Sequence, residues 1–359
     1  MMAWTMVDAR ILTQDEFKKL ADEWGQLLEA SGKDNFFLSW KWISVWWQLY
    51  GFDLEWLLIG VRDGERLIGA APLCVKKVLY KKFLALREIQ FIGSGLICSE
   101  HLDFISLPGR HNAVLQEVCQ FLSGQYKDWD IAKLTDIFTG SETVDFFESK
   151  GAVIRDWTTC PFIGLPGTYE EYLSDLSKKA RYNARKKVKK LEKAVSVEYG
   201  IADESNRFEV FNELKNLHNL RWQAKGVSGF FCDDMACSFH DEIVSQVPPE
   251  NTELSFLKDR STGAYLAIHY SFIRNQKVYL YQQGINLDYH QYSPGIVLLV
   301  YNIRRYIENG FAELDFLRGD EDYKFHWTKD CRPNVQAIMF NHRKIKARLL
   351  KKLYLFISN

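Results

Sequence analysis

The sequence predicts an α/β protein, an α+β arrangement on a mixed sheet, with one unit used twice along the chain. Three observations carry this reading. Alternating apolar strands flank the dipeptides Asp63-Gly64 and Thr262-Gly263, which marks a hairpin in each half. Each hairpin is followed by a helix and then a strand of matching pattern, Trp129-Asp130-Ile131-Ala132-Lys133-Leu134 in one half and Phe311-Ala312-Glu313-Leu314-Asp315-Phe316 in the other. The length, 359 residues, suits domains of roughly 150 residues, each with its own core.

The elements follow in order. Residues 9–12 read as a short strand, and Thr13 with Glu16 has the spacing of a capping box that opens a helix to about Leu28. Ser39 caps a second helix carrying Trp40, Trp42, Trp46 and Trp47, a cluster that suits core packing better than a ligand wall. Strands over 56–62 and 66–75 form the first hairpin, followed by strands at 89–93 and 102–105. A helix over 112–125, a strand over 129–135 and a helix over 142–150 complete the first half. Pro161, Gly164, Pro166 and Gly167 punctuate a linker at 160–167. In the second half, strands at 253–258, 264–272 and 277–283 precede a helix over 294–309, capped by Gly310, and a strand over 312–317. The expected domains are therefore 1–162 and 163–345, with a terminal helix over 346–359.

Composition excludes several classes. Lys+Arg and Asp+Glu each number 46, so formal net charge is zero, and 47% of residues are hydrophobic. That is an ordinary globular balance, unlike disordered, collagenous or disulfide-framework chains, and it argues against wholesale nucleic-acid coating. The seven cysteines are irregularly spaced, and Cys232 and Cys237 lack a zinc-site pattern, so reduced thiols, a cytoplasmic location and no metal are expected. Residues 1–10 show no leader pattern, and the strongest apolar run, 296–301, is far shorter than the ~18 residues of a membrane span.

Four segments carry candidate chemistry. Tyr292-Ser293-Pro294-Gly295 leads into Ile296 at a helix start, where Ser293 suits the N-cap, Pro294 wastes no amide hydrogen and Gly295 admits close approach. Free amides and the helix dipole there suit phosphate or pyrophosphate, although a well-capped helix without a ligand has the same signature. The segment from Asp315 to Lys324 begins as a buried strand and ends in a charged, glycine-broken turn. There Asp320 or Glu321 suits a general base, Tyr323 a proton donor to a leaving group, and Lys324 or Arg318 an anion holder; a solvated acidic turn is the alternative. His269 lies in an alternating strand, where packing is the commoner role. Residues 177–193 hold nine Lys/Arg with Ala180, Ala184, Val188 and Leu191 on one helical face, and a second basic stretch, 342–352, precedes an apolar end. The first suits phosphate, nucleic acid or a solvated face; the second permits peripheral contact with an anionic membrane or simple packing.

Residues 168–330 resemble the GNAT-fold acetyltransferases of the CelD-like, polysaccharide-biosynthesis-associated branch, which are related to Fem-type peptidoglycan aminoacyltransferases. The resemblance rests on the basic helix start from Leu176 to Asn183, on Tyr292-Ser293-Pro294-Gly295, and on Asp315-Phe316-Leu317-Arg318-Gly319-Asp320 with Tyr323, Lys324 and Trp327. Phe37-Leu38-Ser39 with Trp42, and Leu102-Asp103-Phe104, extend it to the first half. It implies tandem GNAT-like domains and a splayed sheet holding acetyl-CoA or another acyl-CoA against the helix that starts at Ser293. A backbone amide on the strand ending at Gln283 would polarise the acyl carbonyl, and an amine, or a hydroxyl, would attack directly with Asp320 as base. The acceptor would be a small molecule or glycan precursor such as an amino-sugar. The usual pyrophosphate loop has more than one glycine after a Gln or Arg; here a single glycine follows a proline. The first half has no such loop, which implies an acceptor-side role. Aminoacyl-tRNA is the alternative donor, favoured by the basic helix and disfavoured by the lack of a long coiled-coil insertion. A non-catalytic scaffold is the other alternative. The cysteine pattern leads to an expectation of the cytoplasm, and the basic stretch at 342–352 permits contact with the inner membrane surface.

Overall fold

The computed structural model describes residues 7–33 and 35–357, with side chains through Tyr354. Residues 1–6 of the stretch read for a leader, and the side chains of Leu355, Phe356 and Ile357, lie outside the described residues. The chain divides into two units, one running to Thr158 and resuming at Pro333, the other spanning Thr159–Arg332.

The first unit contains β1 (Val7–Ile11), α1 (Gln14–Lys18), α2 (Ala21–Ala30), α3 (Trp40–Tyr50), β2 (Leu54–Asp63), β3 (Arg66–Tyr80), β4 (Leu84–Phe91), β5 (Ile105–Ser106), α4 (His111–Gly124), β6 (Ile131–Phe138), α5 (Glu142–Ser149) and the start of β7 (Val153–Gly164). The capping box at Thr13 is present, but the helix it opens is short. The Lys19 amide turns back onto the Glu16 and Phe17 carbonyls, and α2 restarts after Leu20, so one expected helix is two. The strand expected at 102–105 reduces to β5, because Asp103 takes the Phe104 amide with its own carboxylate and is held by Lys33 and Thr143. The tryptophans of α3 serve packing: Trp42 is fully buried and edge-on to Phe36 and Phe37.

The second unit contains the remainder of β7, then α6 (Tyr169–Asp175), α7 (Lys178–Ala194), β8 (Val197–Ile201), α8 (Arg207–Gln223), α9 (Asp234–Gln246), β9 (Thr252–Asp259), β10 (Tyr265–Arg274), β11 (Lys277–Ile285), α10 (Pro294–Glu308) and β12 (Glu313–Asp315). β13 (Cys331–Phe340) and α11 (Ile345–Ile357) then complete the first unit. The segment expected as a linker is extended strand. Phe316 donates to the Pro161 carbonyl, Leu165 to that of Ala312, and Gly164 pairs with Glu313. The chain therefore changes unit within β7 and returns at 332/333, because β13 pairs antiparallel with β6. β8, α8 and α9 have no counterpart among the elements expected from sequence.

The repeat is visible in topology. In the first unit the order is β1-β2-β3-β4-β6-β13, in which β4 and β6 run parallel. In the second it is β7-β12-β11-β10-β9-β8, in which β11 and β12 run parallel. Each parallel pair is joined through a helix, α4 or α10, as a parallel crossover requires. α10 is apolar on almost every side: Val297 and Leu298 join one core cluster with Leu257 and Leu266, while Leu299 and Ile303 join another with Val278 and Leu314. A helix apolar on nearly every side is a buried core helix.

Candidate active site

β11 and β12 pair only over Lys277–Tyr279 with Glu313–Asp315, and then diverge. On its other edge β11 pairs with β10, with a register slip of one residue at Tyr281, so Leu280 opposes Ser271 and Gln283 opposes His269. The slip lets Leu280 and Gln283, three residues apart, line one cavity, and opposed residues share a sheet face, which brings His269 beside Gln283. The start of α10 lies against the end of β11, with Gly295 close to Ile285. The result is a cavity of about 320 Å³ lined by Leu280, Gln283, Ile285, Ile296, Leu299 and the Ser293-Pro294-Gly295 turn, with His269, Tyr323, Arg221, Leu287 and His290 completing its wall.

The helix start differs in detail from the sequence expectation. Ser293 is left-handed (φ +54°) and its side chain makes no cap hydrogen bond; its carbonyl instead takes the Ile296 and Val297 amides, at 3.0 and 3.2 Å. The Gly295 amide has no backbone acceptor among the described residues. A Cβ on Gly295 would stand 2.7 Å from Ile285 Cδ1, so glycine here lets strand and helix start close together. Tyr292 is not in the lining: its ring lies under Lys190 Nζ, 5.5 Å from the centroid, and Lys190 also donates to the Gln291 carbonyl at 2.8 Å.

Of the candidate proton carriers, Tyr323 and His269 face the cavity. Gln283 Nε2 donates to the Tyr323 hydroxyl at 3.3 Å, and burial pushes that phenol up to about 12, so it is protonated at neutral pH. His269 is 1% exposed, and burial pushes its imidazole down to about 3, which keeps it neutral. A neutral, buried imidazole of that kind is a poor base.

The structure does not bring Asp320, Arg318 or Lys324 into the lining. Asp320 and Glu321 are exposed on the turn. Lys324 is 4% exposed, and its ammonium is taken up by the turn itself: it donates to the Arg318 carbonyl at 2.6 Å and the Leu317 carbonyl at 3.3 Å, and pairs with Glu321 at 2.9 Å. It fastens the turn that delivers Tyr323 and is already committed there, so it is not placed to hold an anion. Arg221 from α8 and His290, whose Nδ1 faces the Leu287 carbonyl at 2.8 Å, are cavity residues absent from the sequence reading. Val210, Phe211, Leu214 and Leu217 of α8 are buried at helical spacing and Arg221 continues that stripe, a signal that goes unused where no helix is expected. Among the described residues, no cluster of at least three His, Cys, Asp or Glu is arranged to hold a metal, and no helix is long and apolar enough to cross a membrane.

Residues 178–325 match the acetyltransferase (GNAT) domain family. No relative matches among curated proteins. Among solved structures, FemX superposes with a TM-score of 0.63 at 12% identity, covering 98% of this chain and 100% of its own. L-PGS from Bacillus licheniformis gives 0.57 at 12% identity, with 95% and 96% covered. A tandem GNAT protein from the clavulanic acid biosynthesis pathway gives 0.51 at 11% identity, with 94% and 99% covered. At these identities the likeness is one of fold. The matched segment holds the β11–β12 pair, the start of α10 and the Tyr323 turn, so the chain carries a GNAT acetyltransferase domain at residues 178–325, which supports an N-acyltransferase activity.

Proposed function

We propose that the chain transfers an acyl group, acetyl in the simplest case, from acyl-CoA to an amine of an amino-sugar or polysaccharide precursor, by direct attack in a ternary complex. The observation that carries this is the cavity joining a helix start with an unclaimed amide at Gly295 to an apolar cleft along β11. The amide and the helix dipole suit the pyrophosphate. Leu280, Ile285, Ile296 and Leu299 suit the acyl–pantetheine arm. Tyr323, protonated and inside the cavity, gives its proton to the departing CoA thiolate. Asp320 lies outside the lining, so in this reading it receives the amine's proton through water rather than by contact. The polysaccharide precursor comes from the family resemblance. The test is thiol release from acetyl-CoA in the presence of a panel of amino-sugars and their nucleotide-linked forms. Release that depends on one acceptor supports the proposal, and none with any amine opposes it.

A second reading, aminoacyl-tRNA as donor, has an observation of its own. Arg185, Lys186, Lys189, Lys190 and Lys193 of α7 line a groove of about 480 Å³ with Tyr182, and Lys190 reaches the turn just before α10. Salt-sensitive binding of aminoacyl-tRNA in place of acyl-CoA would favour it.

We also propose peripheral contact of α11 with an anionic membrane on the cytoplasmic side. Ile345, Leu349 and Leu353, spaced four apart, are 68%, 58% and 47% exposed, and Arg348 and Lys352 flank them.

A further inference from the structure

His269 stands at the end of a hydrogen-bond relay that starts at Arg305. Arg305 can only donate, and its Nε gives its proton to the Tyr199 hydroxyl at 2.8 Å. Tyr199 passes its own proton on to Asn302 Oδ1 at 2.9 Å. That fixes the Asn302 amide, whose Nδ2 faces Ser255 Oγ at 2.7 Å and His269 Nδ1 at 3.2 Å as a donor to both. Arg305 is itself anchored by Glu253, which also accepts from the Tyr306 hydroxyl at 2.6 Å. Nδ1 of His269 is therefore bare, and the ring proton sits on Nε2. Nε2 is buried and has no hydrogen-bond partner among the described residues, and the ring borders the cavity. A buried donor of this kind calls for an acceptor.

We infer that His269 Nε2–H is a hydrogen-bond donor to the thioester carbonyl of the bound acyl donor, and that Asn302 is the positioning residue that sets its tautomer. The inference rests on the acyl-CoA reading. Leu280, Ile285, Ile296 and Leu299 line the same cavity as His269, and a carbonyl carried on an apolar arm suits such a lining with a donor beside it. The bond strengthens as the carbonyl oxygen gains charge on attack, so it contributes to turnover as well as to binding.

The test uses the full chain, titrated calorimetrically with acetyl-CoA and with CoA, which lacks the thioester carbonyl. His269→Leu should weaken acetyl-CoA by about tenfold and leave CoA unchanged, while His269→Gln, which keeps a donor near Nε2, should recover most of the loss. Nitrogen NMR of the ring in the free protein should show a bare Nδ1 and a protonated Nε2, and Asn302→Asp, which turns the neighbour into an acceptor for Nδ1–H, should reverse that pattern. A protonated Nδ1 in the parent overturns the inference. So does equal weakening of acetyl-CoA and CoA, or no weakening of either by His269→Leu. A parent protein that binds neither removes the acyl-CoA reading and this bond with it, whereas normal parental binding untouched by His269→Leu removes only the bond.

Discussion

Lys324→Met separates a fastened turn from an anion-holding lysine. Methionine keeps most of the stem's length and apolar bulk but has no donor. The Arg318 carbonyl at 2.6 Å and the Leu317 carbonyl at 3.3 Å then lose their partner inside the fold. A buried acceptor left unmatched costs about 1–3 kcal/mol, and with one close and one long contact the sum is about 2–4 kcal/mol. The Glu321 side chain is 58% exposed, so its ion pair adds little, under about 1 kcal/mol. For a unit of this size each kcal/mol lowers Tm by roughly 2–4 °C, so Lys324→Met should lower it by about 5–15 °C, and Glu321→Gln by about 3 °C or less. The assay is thermal unfolding by circular dichroism, run beside steady-state kinetics. kcat should also fall in Lys324→Met, because the turn positions Tyr323. An unchanged Tm with a raised KM for the donor would refute this reasoning and return Lys324 to the role of anion holder.

Other consequences can be checked directly. Tyr323→Phe should lower kcat by about tenfold or more with little change in donor affinity, and Asp320→Asn should lower it less; the reverse order would restore Asp320 as the contacting base. Burial holds His218 at about 4 and His240 and His269 at about 3, so between those values and ~6.5 the unfolded chain binds protons that the folded chain does not. Stability should therefore fall as pH drops from ~6.5 to ~4, by up to about 1.4 kcal/mol per pH unit for each histidine, and a His240→Gln protein with the parent's slope would contradict this. Leu349→Ser with Leu353→Ser should weaken co-sedimentation with vesicles containing anionic lipid; parental binding by the double variant would rule out α11 as the contact.

Much of the fold was legible because its signals are local. The capping box at Thr13, the Ser39 cap, the Asp63-Gly64 turn and Pro294 at the first position of α10 all appear where short-range chemistry places them. What escaped depends on pairing across long sequence distances. Nothing near Val335 or Ile338 announces that β13 crosses back to β6, and the Pro161 and Gly164 punctuation reads as a linker until their strand partners are known. The site divides along the same line. Gly295, Ser293, Gln283, Tyr323 and His269 meet in one cavity because they lie on a strand pair and on the segments that follow it. Lys324 and Asp320 did not join them, since charge in a sequence does not reveal whether it is spent inside its own turn. Arg221 comes from a helix whose contact with β11 only folding creates.

The account's central claim is that an acyl-CoA occupies the cavity at the start of α10. Calorimetric titration of the parent and of Gly295→Asp with acetyl-CoA and longer acyl-CoA species tests it most directly. The added carboxylate would meet Ile285 and place a negative charge at the amide assigned to pyrophosphate. Micromolar binding by the parent, lost in a Gly295→Asp protein that still unfolds cooperatively, is the predicted result. Undiminished binding by that variant would move the donor site elsewhere, and no binding by the parent to any acyl-CoA would contradict the account.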